Sequence, residues 1–392
     1  MSKIARASRR SFLIASAGCA RLLYSEDERS VERIRVTDGG LQPQAVVDSM
    51  GVVHLIYLSG DPAAADICYV RRAVGGDQFS PPIRVNSRPG SAIALGTVRG
   101  AHLALGKSDR IHVAWNGSST ADPKGPRNSP PMLYTRLRDD KNGFEPQRNV
   151  MTAASGLDGG GTLAADTEGN VYVAWHAPGR QNGKTLDGEG HRRVWLARST
   201  DDGKTFEGEA PVSPEMTGAC GCCGMGALAA EGGNLYMLYR GARETIHRDM
   251  YLLTSRDRGN TFQSIDLHPW QISACPMSTV SLASGQGRVL LAWETEKQVY
   301  FAAFDTRGRN VGTPITAPGE SNNRKHPAVA INRTGETLLV WTEGTGWKRG
   351  GSLAWQLFDR AGRIGNAGSS SDLPAWDFAT AVALNNRFLV IA

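Results

Sequence analysis

The densest group of residues suited to chemistry is a set of sulfur-bearing side chains in two segments, GACGCCGMG and WQISACPM. They are Cys220, Cys222, Cys223, Met225, Cys275 and Met277. Thiolates and thioethers suit a soft metal ion such as copper(I) or zinc. A disulfide from Cys275 to one of the other three cysteines and an unpaired reactive thiol are the alternatives, and the sequence leaves all three open.

Three arginines stand between these segments, in LYRGARETIHRDM: Arg240, Arg243 and Arg248. A planar guanidinium group binds a carboxylate or sulfate through two hydrogen bonds at once. The cluster therefore predicts an anionic small molecule or glycan as ligand, with His176 and His326 as further binding candidates. Local ion pairing of the arginines is the structural alternative.

Carboxylates are the candidates for hydrolysis. Asp61 is suited to act as general acid, and Glu294 or Glu296 to act as base or nucleophile partner. Each follows a strand-like segment, at a position where loops leave a sheet.

These candidates flank one phrase that recurs along the chain: an apolar strand, a glycine-containing turn and an alternating strand. The versions end 48 to 64 residues apart, at Tyr57, Trp115, Trp175, Tyr239, Trp293, Trp341 and Ile391. A second hairpin follows each of the first six versions. Paired strands at this period are typical of propeller blades. We therefore predict an all-β, seven-bladed β-propeller, with six blades as the alternative.

The seventh version ends at the C-terminus without its second hairpin. The segment ARLLYSEDERSVERIRVT, residues 20–37, supplies strand-like sequence at the other end of the chain. We predict that the last blade takes two strands from each terminus and closes the ring, which removes exposed sheet edges. A closed ring would also bring the cysteine and arginine segments together at one mouth of the channel.

Two octets, STDDGKTF at 199–206 and SRDRGNTF at 255–262, have the same pattern. Their Ser and Asp side chains can accept hydrogen bonds from turn amides, their Gly can take a positive φ, and their Phe can pack between sheets. The pattern resembles the Asp-box, or BNR repeat, of sialidases and related β-propellers, and as architecture the resemblance covers residues 21–392. It implies an exo-sialidase-like glycoside hydrolase with three arginines around a carboxylate and a Tyr–Glu nucleophile pair. Such sialidases have six blades and an N-terminal Phe-Arg-Ile-Pro, which this sequence lacks.

Residues 1–20 have the order of an export signal. Arg9 and Arg10 precede a short apolar stretch and then small residues, as in twin-arginine signals for folded cargo. Cys19 ends a weak lipobox, so a lipid anchor stays open. We predict an exported protein of the periplasm or cell envelope, with residues 21–392 as a single propeller domain.

Composition argues against other classes. The chain has 44 basic and 38 acidic residues, a net charge of +6 and no basic tract, so nucleic-acid binding is not expected. No apolar run approaches about 18 residues, so we predict no transmembrane segment. The leading hypothesis is an exported sialidase-like propeller that binds an acidic glycan or other anionic ligand at the mouth of the channel, with hydrolysis of that ligand left open. A periplasmic copper, zinc or redox protein and a non-catalytic interaction scaffold are the alternatives.

Overall fold

The computed structural model describes residues 30–320 and 323–392, in which seven β-sheets form the blades of a propeller. Each recurring phrase forms the first two strands of one blade, because its alternating apolar side chains suit a sheet that packs on a neighbour. The predicted all-β, seven-bladed fold is confirmed. The helices of the described residues are 3-10 turns of three residues, and none of their helices could cross a bilayer. These turns are Thr37–Gly39, Lys107–Asp109, Pro126–Asn128, Glu189–His191, Glu215–Thr217 and Glu231–Gly233.

Blades 1 to 3 are four-stranded antiparallel sheets whose strands follow chain order from the channel outward. Blade 1 contains Leu41–Val47, Val53–Asp61, Ala64–Arg72 and Ile83–Arg84. Blade 2 contains His102–Leu105, Ile111–Asn116, Met132–Arg136 and Arg148–Asn149. Blade 3 contains Gly161–Ala165, Val171–Pro178, Arg192–Ser199 and Ala210–Pro211, and its second loop carries a small hairpin, Arg180–Gln181 with Lys184–Thr185.

Blades 4 to 6 repeat this arrangement. Blade 4 contains Gly226–Ala230, Asn234–Arg240, Met250–Ser255 and Gln263–His268. Blade 5 contains Ser281–Gly285, Arg288–Thr295 and Gln298–Asp305, with the short strands Asn310–Val311 and Ile315–Thr316 both paired to the third strand. Blade 6 contains Arg324–Ile331, Thr337–Glu343, Gly351–Phe358 and Ile364–Leu373.

Both ends of the chain contribute to blade 7, as predicted. Thr380–Leu384 and Arg387–Ile391 come from the C-terminus, and Val31–Ile34 comes from the N-terminal side. Val31–Ile34 pairs in parallel with Arg387–Ile391, although the strands that pair elsewhere in the blades are antiparallel. No hairpin joins these two segments, so nothing forces the antiparallel direction. The second N-terminal strand expected from residues 20–29 lies outside the described residues.

Seven apolar clusters fill the seven contacts between neighbouring blades, including the contact between blades 7 and 1. The tryptophans that end the repeated phrases are fully buried in them, with Trp115, Trp175 and Trp293 at 0% exposure. The first strands surround a channel of about 520 Å³ that is lined largely by small side chains. The ring is therefore closed by packing as well as by strand pairing.

Both octets form the same turn. Ser199 Oγ accepts from the amide of Gly203, and Asp201 accepts from the amide and the hydroxyl of Thr205 at 2.9 and 2.7 Å. The second octet repeats these bonds, and hydrogen bonds from Thr261 lower the pKa of Asp257 to about 2. Both aspartates are occupied within their own turns, as expected for a structural role.

Candidate functional site

The turn at residues 220–223 brings three thiols together just before the inner strand of blade 4. Cys220 Sγ lies 3.3 Å from Cys222 Sγ and 3.4 Å from Cys223 Sγ, and the three sulfurs are within 4.8 Å of one another. Cys220 and Cys223 are buried, and Cys222 is half-buried. All three are free thiols. The cluster offers three soft ligand atoms in a single pocket.

Hydrogen bonds within the cluster separate the pKa values of its thiols. The hydrogen bonds to Cys220 and Cys223, together with burial, raise the pKa of Cys222. Burial alone would raise the pKa of Cys223 as well, but the thiol hydrogen bonds and the charge of Arg240 outweigh burial and lower it well below its usual value. Arg240 and the neighbouring thiols thus favour the ionised form of Cys223 over those of the other two.

The other sulfur-bearing candidates differ in exposure. Cys275 is exposed and is a free thiol in this structure. Met225 packs in the apolar cluster between blades 3 and 4. Met277 is half-buried with a positive φ of 51°. The three cysteines of the turn are therefore the part of the predicted sulfur site that the structure assembles.

The three arginines do not form an open clasp for an anion. Arg240 is 1% exposed, donates to the backbone carbonyls of Arg248 and Glu294, and lies 5.0 Å from the Trp270 ring centroid. The Nη2 of Arg248 donates to a carboxylate oxygen of Glu189 at 2.6 Å. Only Arg243 keeps a substantially exposed guanidinium group among the three. Arg240 and Arg248 instead form hydrogen bonds within the protein that hold loops together.

Both predicted histidines are buried, which removes them from contact with solvent. His176 is 0% exposed, and burial lowers its pKa to about 4. Burial also lowers the pKa of His326 to about 3, and its Nδ1 lies 3.3 Å from Thr279 Oγ1. Both rings are neutral at physiological pH. His176 lies next to the thiol turn. Gly159 separates the two: a Cβ atom placed on Gly159 would be 2.6 Å from the carbonyl oxygen of Gly221 in the turn and 3.1 Å from Nδ1 of His176.

The predicted carboxylates are divided between blades 1 and 5, which are not neighbours in the ring. Asp61 is exposed and accepts from the amide of Ala63 within its own turn. Glu294 is 1% exposed and lies 3.7 Å from Arg240, and burial raises its pKa against the effect of that arginine. Glu296 is exposed in the following turn. The structure therefore does not join Asp61 to either glutamate as an acid–base pair.

A cleft of about 350 Å³ between blades 4 and 5 brings Glu296 together with two carboxylates that the sequence had not singled out, Asp249 and Asp266. It is lined by Arg243, His247, Asp249, Asp266, Pro269, Trp270, Gln271 and Glu296. Partial burial and the negative charge of Asp249 raise the pKa of Asp266, while Asp249 accepts from the amide of Trp270 at 2.8 Å. Tyr251 donates to Asp249 at 3.3 Å, but burial raises the pKa of Tyr251 to about 12, so it remains a neutral phenol.

Two of these residues carried weak sequence signals. Asp249 adjoins an arginine in the segment LYRGARETIHRDM, and Trp270 begins WQISACPM. Asp266 has no local signal, because it stands in the strand Gln263–His268 and comes near Asp249 only when this strand pairs with Met250–Ser255, where Asp266 lies opposite Tyr251. Its role depends on strand register, which the sequence alone does not specify.

Comparison with solved structures supports the fold assignment. A protein of unknown function from Dyadobacter fermentans matches with a TM-score of 0.52 and 15% identity, over 85% of this chain and 94% of that one. A PL25 ulvan lyase, a polysaccharide lyase solved with bound -[GlcA(1-4)Rha3S]-, matches with a TM-score of 0.52 and 12% identity, over 88% and 87%. The NanB sialidase of Streptococcus pneumoniae matches more distantly, with a TM-score of 0.45 and 12% identity, over 88% and 63%.

At these identities the matches show a common fold and nothing finer. The β-propeller fold that the octets indicated is confirmed. No protein-family model matches the sequence, and no curated protein matches it.

Proposed function

We propose that the protein binds a glycan in the cleft between blades 4 and 5 and hydrolyses a glycosidic bond there. The observation that carries this proposal is the grouping of three carboxylates, Asp249, Asp266 and Glu296, in one cleft, where partial burial and the charge of Asp249 raise the pKa of Asp266. A carboxyl group whose pKa is raised by its surroundings is suited to donate a proton to a leaving-group oxygen, while a second carboxylate activates water. The fold that the chain shares with a polysaccharide lyase is consistent with a glycan ligand.

The two catalytic roles fall to different residues. Asp266 is the general acid, because it is open to solvent in the cleft and partial burial and the charge of Asp249 raise its pKa. Glu296 is the general base, since no hydrogen bond or ion pair to another described residue occupies its carboxylate. Asp249 is an orienting group, because the Trp270 amide and the Tyr251 hydroxyl already engage its oxygens. Glu296 thus keeps the role predicted from sequence, and Asp266 takes the role expected of Asp61.

The charge of the cleft favours a neutral sugar over the acidic glycan expected from the sequence. Arg243 is the guanidinium group that a carboxylate or sulfate could reach, and three carboxylates line the same space. An acidic ligand would face repulsion from Asp249 and Glu296 at short range. Export by the twin-arginine signal, which we also propose, would deliver such an enzyme to glycans of the cell envelope.

Hydrolysis can be tested with the purified full chain and matched panels of neutral and acidic oligosaccharides, with new reducing ends as the measurement. We expect release from neutral glycans and a loss of about 100-fold or more in kcat for Asp266→Asn, the usual effect of removing a general acid. Asp61→Asn, which changes an exposed carboxyl group on blade 1, is the matched control and should retain full activity. No release from any glycan, or equal activity of Asp266→Asn and wild type, would contradict the proposal.

A further inference from the structure

We propose that the thiols of Cys220, Cys222 and Cys223 bind one thiophilic metal ion, copper(I) or zinc(II), beside the imidazole of His176. This site is separate from the glycan cleft and does not depend on it. It rests on four features of the structure: the spacing of the sulfurs, the support of the turn, the unpartnered polar atoms beside it, and the positive charges around it.

The sulfur spacing is close to that of a metal site. Sulfurs at 2.3 Å from a tetrahedral zinc ion are separated by about 3.8 Å. The observed separations from Cys220 Sγ are 3.3 and 3.4 Å, so the thiols need to move apart by only a few tenths of an ångström. A disulfide would require a sulfur separation near 2.05 Å, and thus a larger movement in the opposite direction.

Backbone hydrogen bonds hold this turn from several sides. The amide of Cys220 donates to the carbonyl of Arg240 at 2.9 Å, and the carbonyl of Cys223 accepts from the amide of Gly160, just before the first strand of blade 3, at 3.2 Å. The amide of Gly224 donates to the carbonyl of Ser278 at 2.9 Å. Blades 3 and 4 and the segment before blade 5 therefore position the sulfurs before any ion binds. A site organised in advance loses less entropy on binding.

Two buried side chains beside the thiols have polar atoms without a hydrogen-bond partner among the described residues. His176 has neither ring nitrogen paired, although the residue is 0% exposed. Arg248 is 4% exposed and uses Nη2 for Glu189, but its Nε and Nη1 are unpaired. Buried polar atoms usually have partners, so these atoms point to a ligand or a change of charge at this place.

The negative charge of metal-bound thiolates accounts for the two buried arginines beside the cluster, Arg240 and Arg248. Binding a metal ion displaces the thiol protons and leaves up to three negative sulfurs in a buried space, so the remaining negative charge requires compensation. Arg248 interacts electrostatically with Cys220 and Cys222, and Arg240 interacts with Cys223. The two arginines that are closed to an external anion are thus well placed to stabilise a metal–thiolate centre.

Zinc(II) and copper(I) differ in whether they need His176 as a ligand. Zinc(II) prefers four ligands, so it would recruit an imidazole nitrogen of His176 beside three thiolates. Copper(I) is favoured by soft sulfur ligands and is satisfied by the three thiolates. The effect of His176→Gln on affinity therefore distinguishes the two ions.

The test is an anaerobic titration of the reduced, metal-free full chain with copper(I) or zinc(II), in competition with a chromophoric chelator. We expect one ion per chain, and we expect Cys222→Ser to lower the affinity at least tenfold. Cys275→Ser removes an exposed cysteine outside the cluster and should leave the affinity unchanged. His176→Gln should weaken zinc binding and spare copper binding.

Folding of each variant is checked by circular dichroism, and Cys222 is chosen because it is the half-buried member of the three. If Cys222→Ser does not fold, alkylation of the wild type replaces it: bound metal should protect three thiols and leave Cys275 reactive. The proposal is overturned if the wild type takes no ion from the chelator, or if a folded Cys222→Ser variant binds as tightly. It is also overturned if mass measurement finds two of the three cysteines oxidised in protein that resists reduction. Glycan cleavage by the same preparation has no bearing on these outcomes.

Discussion

Arg240 of blade 4 and Glu294 of blade 5 face each other across the blade contact, with Nη2 3.7 Å from Oε2 and both side chains almost fully buried. Arg240 also donates to backbone carbonyls on both sides of this contact. The pair therefore links two neighbouring blades at the level of the thiol turn.

Removing each partner should have unequal effects. Arg240→Met leaves the Glu294 carboxylate buried without a cation, which typically costs 3–5 kcal/mol. Glu294→Gln leaves Arg240 with its carbonyl partners and should cost clearly less. Urea unfolding at neutral pH measures both free energies of unfolding. Equal losses for the two variants would show that the pair does not act through a buried charge.

Because blade 7 includes Val31–Ile34, we expect truncation from the N-terminus to lower the Tm once this strand is removed. Removing residues 1–36 deletes Val31–Ile34 and the ion pair from Glu32 to Arg72 of blade 1 at 2.7 Å. The lost apolar burial alone corresponds to about 3 kcal/mol. Removing residues 1–29 keeps this strand and serves as the control. Thermal unfolding should show a lower Tm for the longer deletion; equal midpoints would refute closure by this strand.

Gly203 and Gly259 occupy the same position in the two octets and differ in the space that a Cβ atom would have. Gly203 and Gly259 have φ values of 73° and 75°, so alanine costs about 1–2 kcal/mol at either position. A Cβ at Gly203 would also lie 1.8 Å from the hydroxyl of the buried Tyr134, whereas at Gly259 the closest atom is 3.3 Å away. We expect Gly203→Ala to cost about 3 kcal/mol and Gly259→Ala clearly less. The reverse order in chemical denaturation would contradict this packing.

Titration of Asp377 should make the free energy of unfolding depend on pH. Burial raises its pKa to about 6, against hydrogen bonds from the amides of Gln42 and Phe378. Between about pH 4 and pH 6 the unfolded chain releases this proton while the folded chain keeps it, so stability falls as the pH rises through this window. Above it, the unfavourable contribution is constant at up to about 3 kcal/mol.

Asp377→Asn retains the accepting oxygen and removes the titration. At pH 7.5 the variant should be more stable than the wild type, and the difference should shrink as the pH falls to 4. Unfolding free energies across this range test the prediction, with Asp61→Asn as the exposed control. If the difference in unfolding free energy between Asp377→Asn and the wild type does not vary with pH, titration of Asp377 does not cause it.

The blades could be predicted from the sequence because their determinants are local. The alternating phrase from Gly161 to Trp175 contains both strands of its hairpin and the turn between them, and the octets contain nearly every group that their turns need. The shared last blade followed from a missing hairpin at one end of the chain. The parallel direction of Val31–Ile34 could not be predicted, since no local turn determines it.

The character of the site was decided by the tertiary structure. The sequence placed cysteines and arginines in neighbouring segments, but whether Arg240 meets a ligand or a backbone carbonyl depends on the paths of two loops from different blades. The raised pKa of Asp266 comes from partial burial and from the charge of Asp249, and both arise only in the folded blade. Electrostatic interactions act over a few ångströms between residues distant in sequence, so they arise only after radial packing has brought the blades together.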